Sequence, residues 1–245
     1  MTDNKKLVYA AIIALGVIIS AVVLGNAFKN RNSNGTITTT GLGETNFVSD
    51  LIVWEGNFSE SSYDLKEAYT NLEKTKDVIK RYLTKKGVAD SSIIFAAVET
   101  INESRSDYTS DGRYIGQVFT GYRLSQNVKV ESTDVANIEK IAREVTELLN
   151  DGVKFYSQPP RYYYTKLSDV KLDLISQATE DAKKRAEQIA SKSGAKLGKV
   201  LEANMGIFQI TGQNSNEDYS WGGTFNTADK NKTASITMKL TYKVD

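Results

Sequence analysis

From Tyr114 to Val130 the chain alternates with a period of two. The even positions carry Tyr114, Val118, Tyr122, Leu124, Val128 and Val130, and after Phe119 the odd positions are mostly polar. A helix repeats every 3.6 residues, whereas a period of two sends successive side chains to opposite faces of an extended strand. So long an alternation commits the chain to a sheet with one covered and one solvated face. Ala234 to Val244 repeats the pattern without a break: Ala234, Ile236, Met238, Leu240, Tyr242 and Val244 on one side, Ser235, Thr237, Lys239, Thr241 and Lys243 on the other.

Three amphipathic segments are available to cover such faces. The first is capped by Ser61 or Ser62 and runs to about Lys86, with Leu65, Ala68, Leu72, Ile79 and Leu83 on its apolar stripe and Gly87 as its stop. The second, capped by Thr133 or Asp134, runs to Asn150 and turns Ile138, Ile141, Val145 and Leu148 inward. The third spans Asp169 to Ser193 behind Ser168, with Leu172, Ile175, Ala178, Ala182, Ala186 and Ile189 inward.

The remaining segments supply strands and turns. Gly35 to Thr45 reads as a strand ending in a turn or bend at Gly41 and Gly43, and Asn46 to Ser59 as another strand. Ser91 to Ile101 is a strand, and Asn102 to Arg113 is a polar hairpin loop turning at Asp111-Gly112. Val153 to Ser157 is a short strand before Pro159-Pro160, which cannot donate to a ladder and mark a loop or a blunted edge. Leu197 to Thr211 is a strand whose apolar parity changes at Gly206, as a bulge would cause. Paired strands recur between helices without strict alternation, so the class is α+β. The expectation is antiparallel sheets packed with about three helices, preceded by one N-terminal transmembrane helix.

That last element rests on Leu7 to Gly25, 19 residues without a charge. As a helix they would span about 28 Å, close to the hydrocarbon core of a bilayer. Two readings stand. The length favours an uncleaved anchor over residues 7–28, while Gly25 and Ala27 fit the small residues of a signal-peptide cleavage site. The anchor reading makes residues 1–6 a cytoplasmic head and residues 29–34 a tether. It puts the protein in the inner (cytoplasmic) membrane as a single-pass protein, with residues 35–245 in the periplasm or outside the cell.

Composition narrows the chemistry. The chain has no cysteine and no histidine. Thiol nucleophiles, disulfides, zinc–thiolate sites and the usual acid–base group near neutral pH are therefore all excluded. Beyond residue 31 there remain 27 bases and 29 acids, because Lys5, Lys6, Lys29, Arg31 and Asp3 lie in the first stretch. A body with net charge −2 offers no phosphate-neutralising surface, so no nucleic-acid partner is expected.

Candidate site residues are few. Glu99, Glu103, Asp107 and Asp111 crowd the hairpin but lack the rhythm of a calcium loop, and read as a solvated loop. In the run Arg161-Tyr162-Tyr163-Tyr164, Tyr162 and Tyr164 would share a strand face, suited to core packing or a subunit contact. Gly212 to Thr233 is a 22-residue polar loop that carries Trp221 and Phe225. Loops of that length are usually functional or disordered, and two large aromatics in polar surroundings point to docking. No catalytic, cofactor-binding or metal-ligating residue is assigned, and no cofactor is expected.

Four segments, in order, resemble the SIMPL (DUF541) family. Gly35 to Glu44 is similar to its opening I-x-V-x-G-x-G strand, and Gly121 to Val130 to its G-Y-x-x-S-x-x-V-x-V strand. Asp181 to Ala190 is similar to its D-A-x-x-x-A-E-x-x-A helix, followed by a Gly turn and Leu197-Gly198-Lys199-Val200. Ala234 to Tyr242 is similar to its closing strand. The resemblance implies an exported or membrane-anchored bacterial α+β domain over residues 35–245, with loose links to stress response and no established catalytic residues.

The resulting expectation is a non-enzymatic, membrane-anchored cell-envelope protein. Its exported domain self-assembles into a cyclic homo-oligomer, with Tyr162, Tyr164, Trp221 and Phe225 at the contacts and the lipid bilayer bound through residues 7–28. The alternative is a module that binds a cell-wall or small-molecule ligand.

Overall fold

A computed structural model describes residues 13–26, 35–218 and 220–244. Residues 13–26 form a helix, α1, whose side chains are exposed. No helix among the described residues is long and apolar enough to cross a membrane. The rest of the expected 7–28 anchor, like the head and the tether, lies outside the described residues.

The remaining described residues form two compact units. One comprises residues 35–45, Asp169–Phe208 and the chain from Ser235; the other comprises Asn46–Ser168 and Gln209–Ala234. In chain order the elements are β1 (Thr36–Val48), β2 (Leu51–Ser62), α2 (Leu65–Lys85), β3 (Ile93–Phe95), β4 (Glu99–Tyr108), β5 (Tyr114–Ser132) and α3 (Val135–Glu144). There follow β6 (Phe155–Ser157), β7 (Arg161–Tyr163), α4 (Leu167–Lys192), β8 (Leu197–Met205), β9 (Gln209–Gly212) and β10 (Asn231–Val244). The class is α+β, with two antiparallel sheets and four helices among the described residues.

In the larger unit β5 and β2 pair in register from Ile52–Ser132 to Ser62–Tyr122. β3 and β4 follow one another along the far side of β5, and β6 and β7 along the far side of β2. The inward residues of β2 and β5 (Ile52, Trp54, Phe58, Leu124, Val128 and Val130) meet Leu72, Ile79 and Leu83 of α2 and Ile138 and Ile141 of α3 in one core. Gly56 is also inward and has no room for more. A Cβ there would lie 2.0 Å from the Phe155 ring.

The helix caps are acidic. Asp64 caps α2 by accepting from the Glu67 amide at 2.8 Å, and Ser62, expected as the cap, supports it by donating to the Glu67 carboxylate at 2.6 Å. Asp134 caps α3 by accepting from the Asn137 amide. That helix stops at Glu144; a 3-10 turn (Val145–Asp151) completes the expected span and ends at Gly152, whose φ of 77° needs glycine.

In the other unit β10 lies between β1 and β8, and α4 packs on one face. Four expectations are corrected here and in the hairpin. Gly41 and Gly43 do not end the strand in a turn: β1 continues through them to Val48, and the α4 backbone passes directly over both. The buried stripe of α4 is Leu174, Ala178, Ala182, Ala186 and Ala190, while Leu172 and Ile189 are 69% and 49% exposed. A backbone approach that close accepts only small side chains. The expected strand over 197–211 is two strands, with Gly206 between them donating its amide to the Thr237 carbonyl at 2.8 Å. Finally, Asn102 to Tyr108 is not loop but the greater part of β4, and only the turn around Asp111-Gly112 remains of the hairpin loop.

Candidate functional site

Polar residues on both faces of β4 disguise a projecting arm. Beyond the Ser62–Tyr122 pair, β5 has no neighbour on its β2 side among the described residues, and β4 has none on its outer edge. Glu103 to Tyr108 and Tyr114 to Gly121 therefore pair only with each other. At about 3.3 Å per residue the arm extends about 20 Å. The register slips between Glu103 and Ser104 and again between Asp107 and Tyr108, next to Gly121 and Gly116, both at φ 140°. Such bulges increase twist. Tyr108, Tyr114, Ile115, Val118 and Phe119 are all exposed. Tyr108 and Tyr114 stack edgewise at 5.7 Å near the tip, and Phe119 meets Tyr63 and Tyr122 at the base. Sequence reasoning missed the arm as an interaction element. The available signal was the set of aromatics flanking the Asp111-Gly112 turn.

The expected contact residues divide into three situations. Tyr162 belongs to its own fold: its hydroxyl donates to Glu139 on α3 at 3.0 Å. Burial and that hydrogen bond push the phenol up to about 12. Burial raises the Glu139 carboxyl, but hydrogen bonds from Lys230 and Tyr162 outweigh it and hold the group below its ordinary range. Tyr164 packs on Phe47 at 4.8 Å, and Phe225 faces Tyr163, not Tyr162, at 6.5 Å. Trp221 stands apart, 97% exposed.

The segment that carries Trp221 is pinned rather than loose. Gln209 donates to the Ser220 carbonyl and accepts from the Thr224 amide, at 2.8 and 2.6 Å. Glu217 accepts from the Gly212 amide and from Asn226, and those bonds hold its carboxyl below the ordinary range. Beneath them Lys232 is 2% exposed and donates to the Asn226 carbonyl at 2.5 Å. Burial holds its amine below the usual lysine range.

The four carboxylates read as a solvated loop lie along β4 and its turn. Glu103 pairs with Arg123 across to β5, and Asp111 with Arg113. No group of three or more metal-ligating side chains is gathered among the described residues.

No curated protein matches the chain. Residues 37–244 match the family model described as "SIMPL: Protein of unknown function (DUF541)", and the chain belongs to that family.

Proposed function

We propose that this chain is a non-enzymatic envelope protein, tethered to the inner membrane by residues 7–28, whose exported domain assembles with copies of itself into a closed ring. The β4–β5 arm carries the reading. A two-stranded ribbon is marginal in water on its own, and two open edges are templates for further strands. Among the described residues this arm has both edges open, and it exposes aromatic residues near its turn. Anchors in one membrane would hold the bodies parallel and raise their effective concentration. A head-to-tail contact between parallel neighbours closes into a ring when the rotation permits. Support for the tether is the uncharged run Leu7 to Gly25. Support for a non-enzymatic role is the absence of histidine and cysteine.

The test is sedimentation of the full chain in a mild detergent beside a variant with residues 104–119 replaced by Asn-Gly. The expected result is a defined multimer for the first and a folded monomer for the second, with circular dichroism as the fold control. A monomer for the unaltered chain at micromolar concentration would sink the proposal.

A further inference from the structure

The solvent face of the six-stranded sheet holds a cleft of about 550 Å³. Its floor follows from the strand register. Asn57 stands opposite Asn127 on one side and Tyr156 on the other; Ser59 stands opposite Ser125; Arg123 lies between Ser61 and Ile101. Residues directly opposite in an antiparallel ladder share a face. Three short hydroxyl side chains, Ser59, Ser61 and Ser125, thus form the middle. Tyr156, Lys154, Arg123, Ile101 and Gly152 stand around them, with Glu60, whose carboxylate accepts from the Thr75 hydroxyl at 2.6 Å. The depth comes from that difference in side-chain size.

The lining is chemically specific. The three serine hydroxyls have no protein hydrogen-bond partner among the described residues. Asn57 is oriented by its bond to Asn127 at 2.8 Å. Arg123 is held by Glu103, and a guanidinium has five N–H donors, so several are left without a partner among the described residues. Lys154 makes no ion pair among the described residues. Tyr156, 60% exposed, offers an aromatic face at one wall.

Such a surface disfavours an apolar ligand, which would strip water from the hydroxyls and the ammonium without replacing their hydrogen bonds. It suits a molecule with hydroxyls around its rim and a C–H face for an aromatic ring. Those are the properties of a sugar. The unpaired ammonium at Lys154 adds a demand for a carboxylate, because a charge-assisted hydrogen bond is the stronger kind. From the Asn57 row to the Ser61 row the floor runs about 13 Å, room for a short oligosaccharide. The volume lies within the range of small-molecule sites. We propose that this cleft binds a short acidic saccharide, with its hydroxyls on Ser59, Ser61 and Ser125, a ring on Tyr156 and a carboxylate at Lys154. The proposal is independent of self-association, since it uses none of the exposed residues of the arm.

Titration calorimetry on the full chain in a mild detergent tests it, with trigalacturonate as the probe, maltotriose as its uncharged counterpart and inorganic phosphate as the bare anion. The expected result is binding of trigalacturonate about tenfold or more tighter than of maltotriose, and no competition from phosphate at equal concentration. Lys154→Gln should weaken trigalacturonate about tenfold and leave maltotriose unchanged, and Ser125→Leu, which fills the floor, should abolish binding of both. Tyr156→Ala, at an exposed position, should weaken both and serves if the leucine variant does not fold. No binding of trigalacturonate at millimolar concentration, equal affinity for the two sugars, displacement by phosphate, or indifference to these substitutions would each overturn the proposal.

Discussion

A Cβ built on Gly41 would fall 2.1 Å from the carbonyl oxygen of Ala178. Strand and helix backbones touch there, and two hydrogen bonds fasten the approach: the Thr39 hydroxyl to the Ala182 carbonyl at 2.8 Å, and the Leu42 amide to the Asp181 carboxylate at 2.9 Å. The second matters for solubility as well as packing. An edge strand whose amide is occupied by a helix side chain is a poorer template for another chain.

Gly41→Ala should therefore be costly although the change is one methyl group. The atoms in its way are backbone, so α4 has to move, at about 3 kcal/mol, the upper end for overpacking. Gly35→Ala is the control, since its Cβ would meet only Val244 at an ordinary 3.8 Å, with an effect within about 0.5 kcal/mol. Urea unfolding of both variants checks the contrast. Equal stability of the two would show that the helix does not press on β1 as described.

The same contact explains what was and was not legible in the sequence. Period two in Tyr114–Val130 and Ala234–Val244 located the two longest strands because alternation is a local property. The face of α4 is legible in part: Ala178, Ala182 and Ala186 are buried as expected, while hydrophobicity also favours Leu172 and Ile189, which are exposed. The close approach at Ala178 and Ala182 is set by Gly41 and Gly43, more than 130 residues earlier in the chain. Asn102 to Tyr108 reads as loop for a related reason: a strand exposed on both faces has no pattern to show. Trp221 was legible as an aromatic in a polar loop. Lys232 was not, because its burial depends on the loop at Asn226 folding back onto it.

The Tyr162–Glu139 pair gives stability two pH limits. Tyr162 has its phenol raised, so its contribution is fully present below the ordinary value of 10.0 and is lost as pH rises from there through about 12. Glu139 is lowered, so its contribution is present above the ordinary 4.5 and is lost as pH falls through its folded value. Tyr162→Phe should remove part of the alkaline decline and make the acid limb shallower, since Glu139 keeps Lys230 but loses the phenol. Glu139→Gln should flatten both limbs, since the phenol loses its carboxylate partner. Chemical denaturation from pH 3 to 11 reads both. An unchanged alkaline limb in Tyr162→Phe would refute the assignment.

Lys232 works in the opposite sense. Burial lowers its amine, so the fold bears a penalty for the charged form at neutral pH. The penalty is relieved as pH rises from the folded value towards the ordinary 10.5. The stability of the unaltered chain minus that of Lys232→Met should therefore increase as pH rises towards 10.5. Taking the difference cancels the tyrosine titrations common to both. A flat or falling difference would mean that the charges of Asp229 and Glu217 outweigh burial.

The two tryptophans make the assembly proposal readable by light. Trp54 is fully buried, with its indole N–H donating to Ser157 at 2.9 Å, whereas Trp221 is almost wholly exposed on a segment pinned by Gln209, Glu217 and Lys232. A large aromatic held rigidly in water loses little side-chain entropy on docking, which is why such residues anchor interfaces. Dissolved acrylamide should quench Trp221 and spare Trp54 in dilute protein. If Trp221 is a subunit contact, concentrating the Trp54→Phe variant into the assembling range should shift its emission to the blue and protect it from acrylamide. Trp221→Ala should leave unfolding within about 0.5 kcal/mol of the unaltered chain, yet weaken self-association by about tenfold or more. Emission and quenching that do not change with concentration, in protein shown by sedimentation to be assembled, would remove Trp221 from the contact and leave the arm to carry it alone.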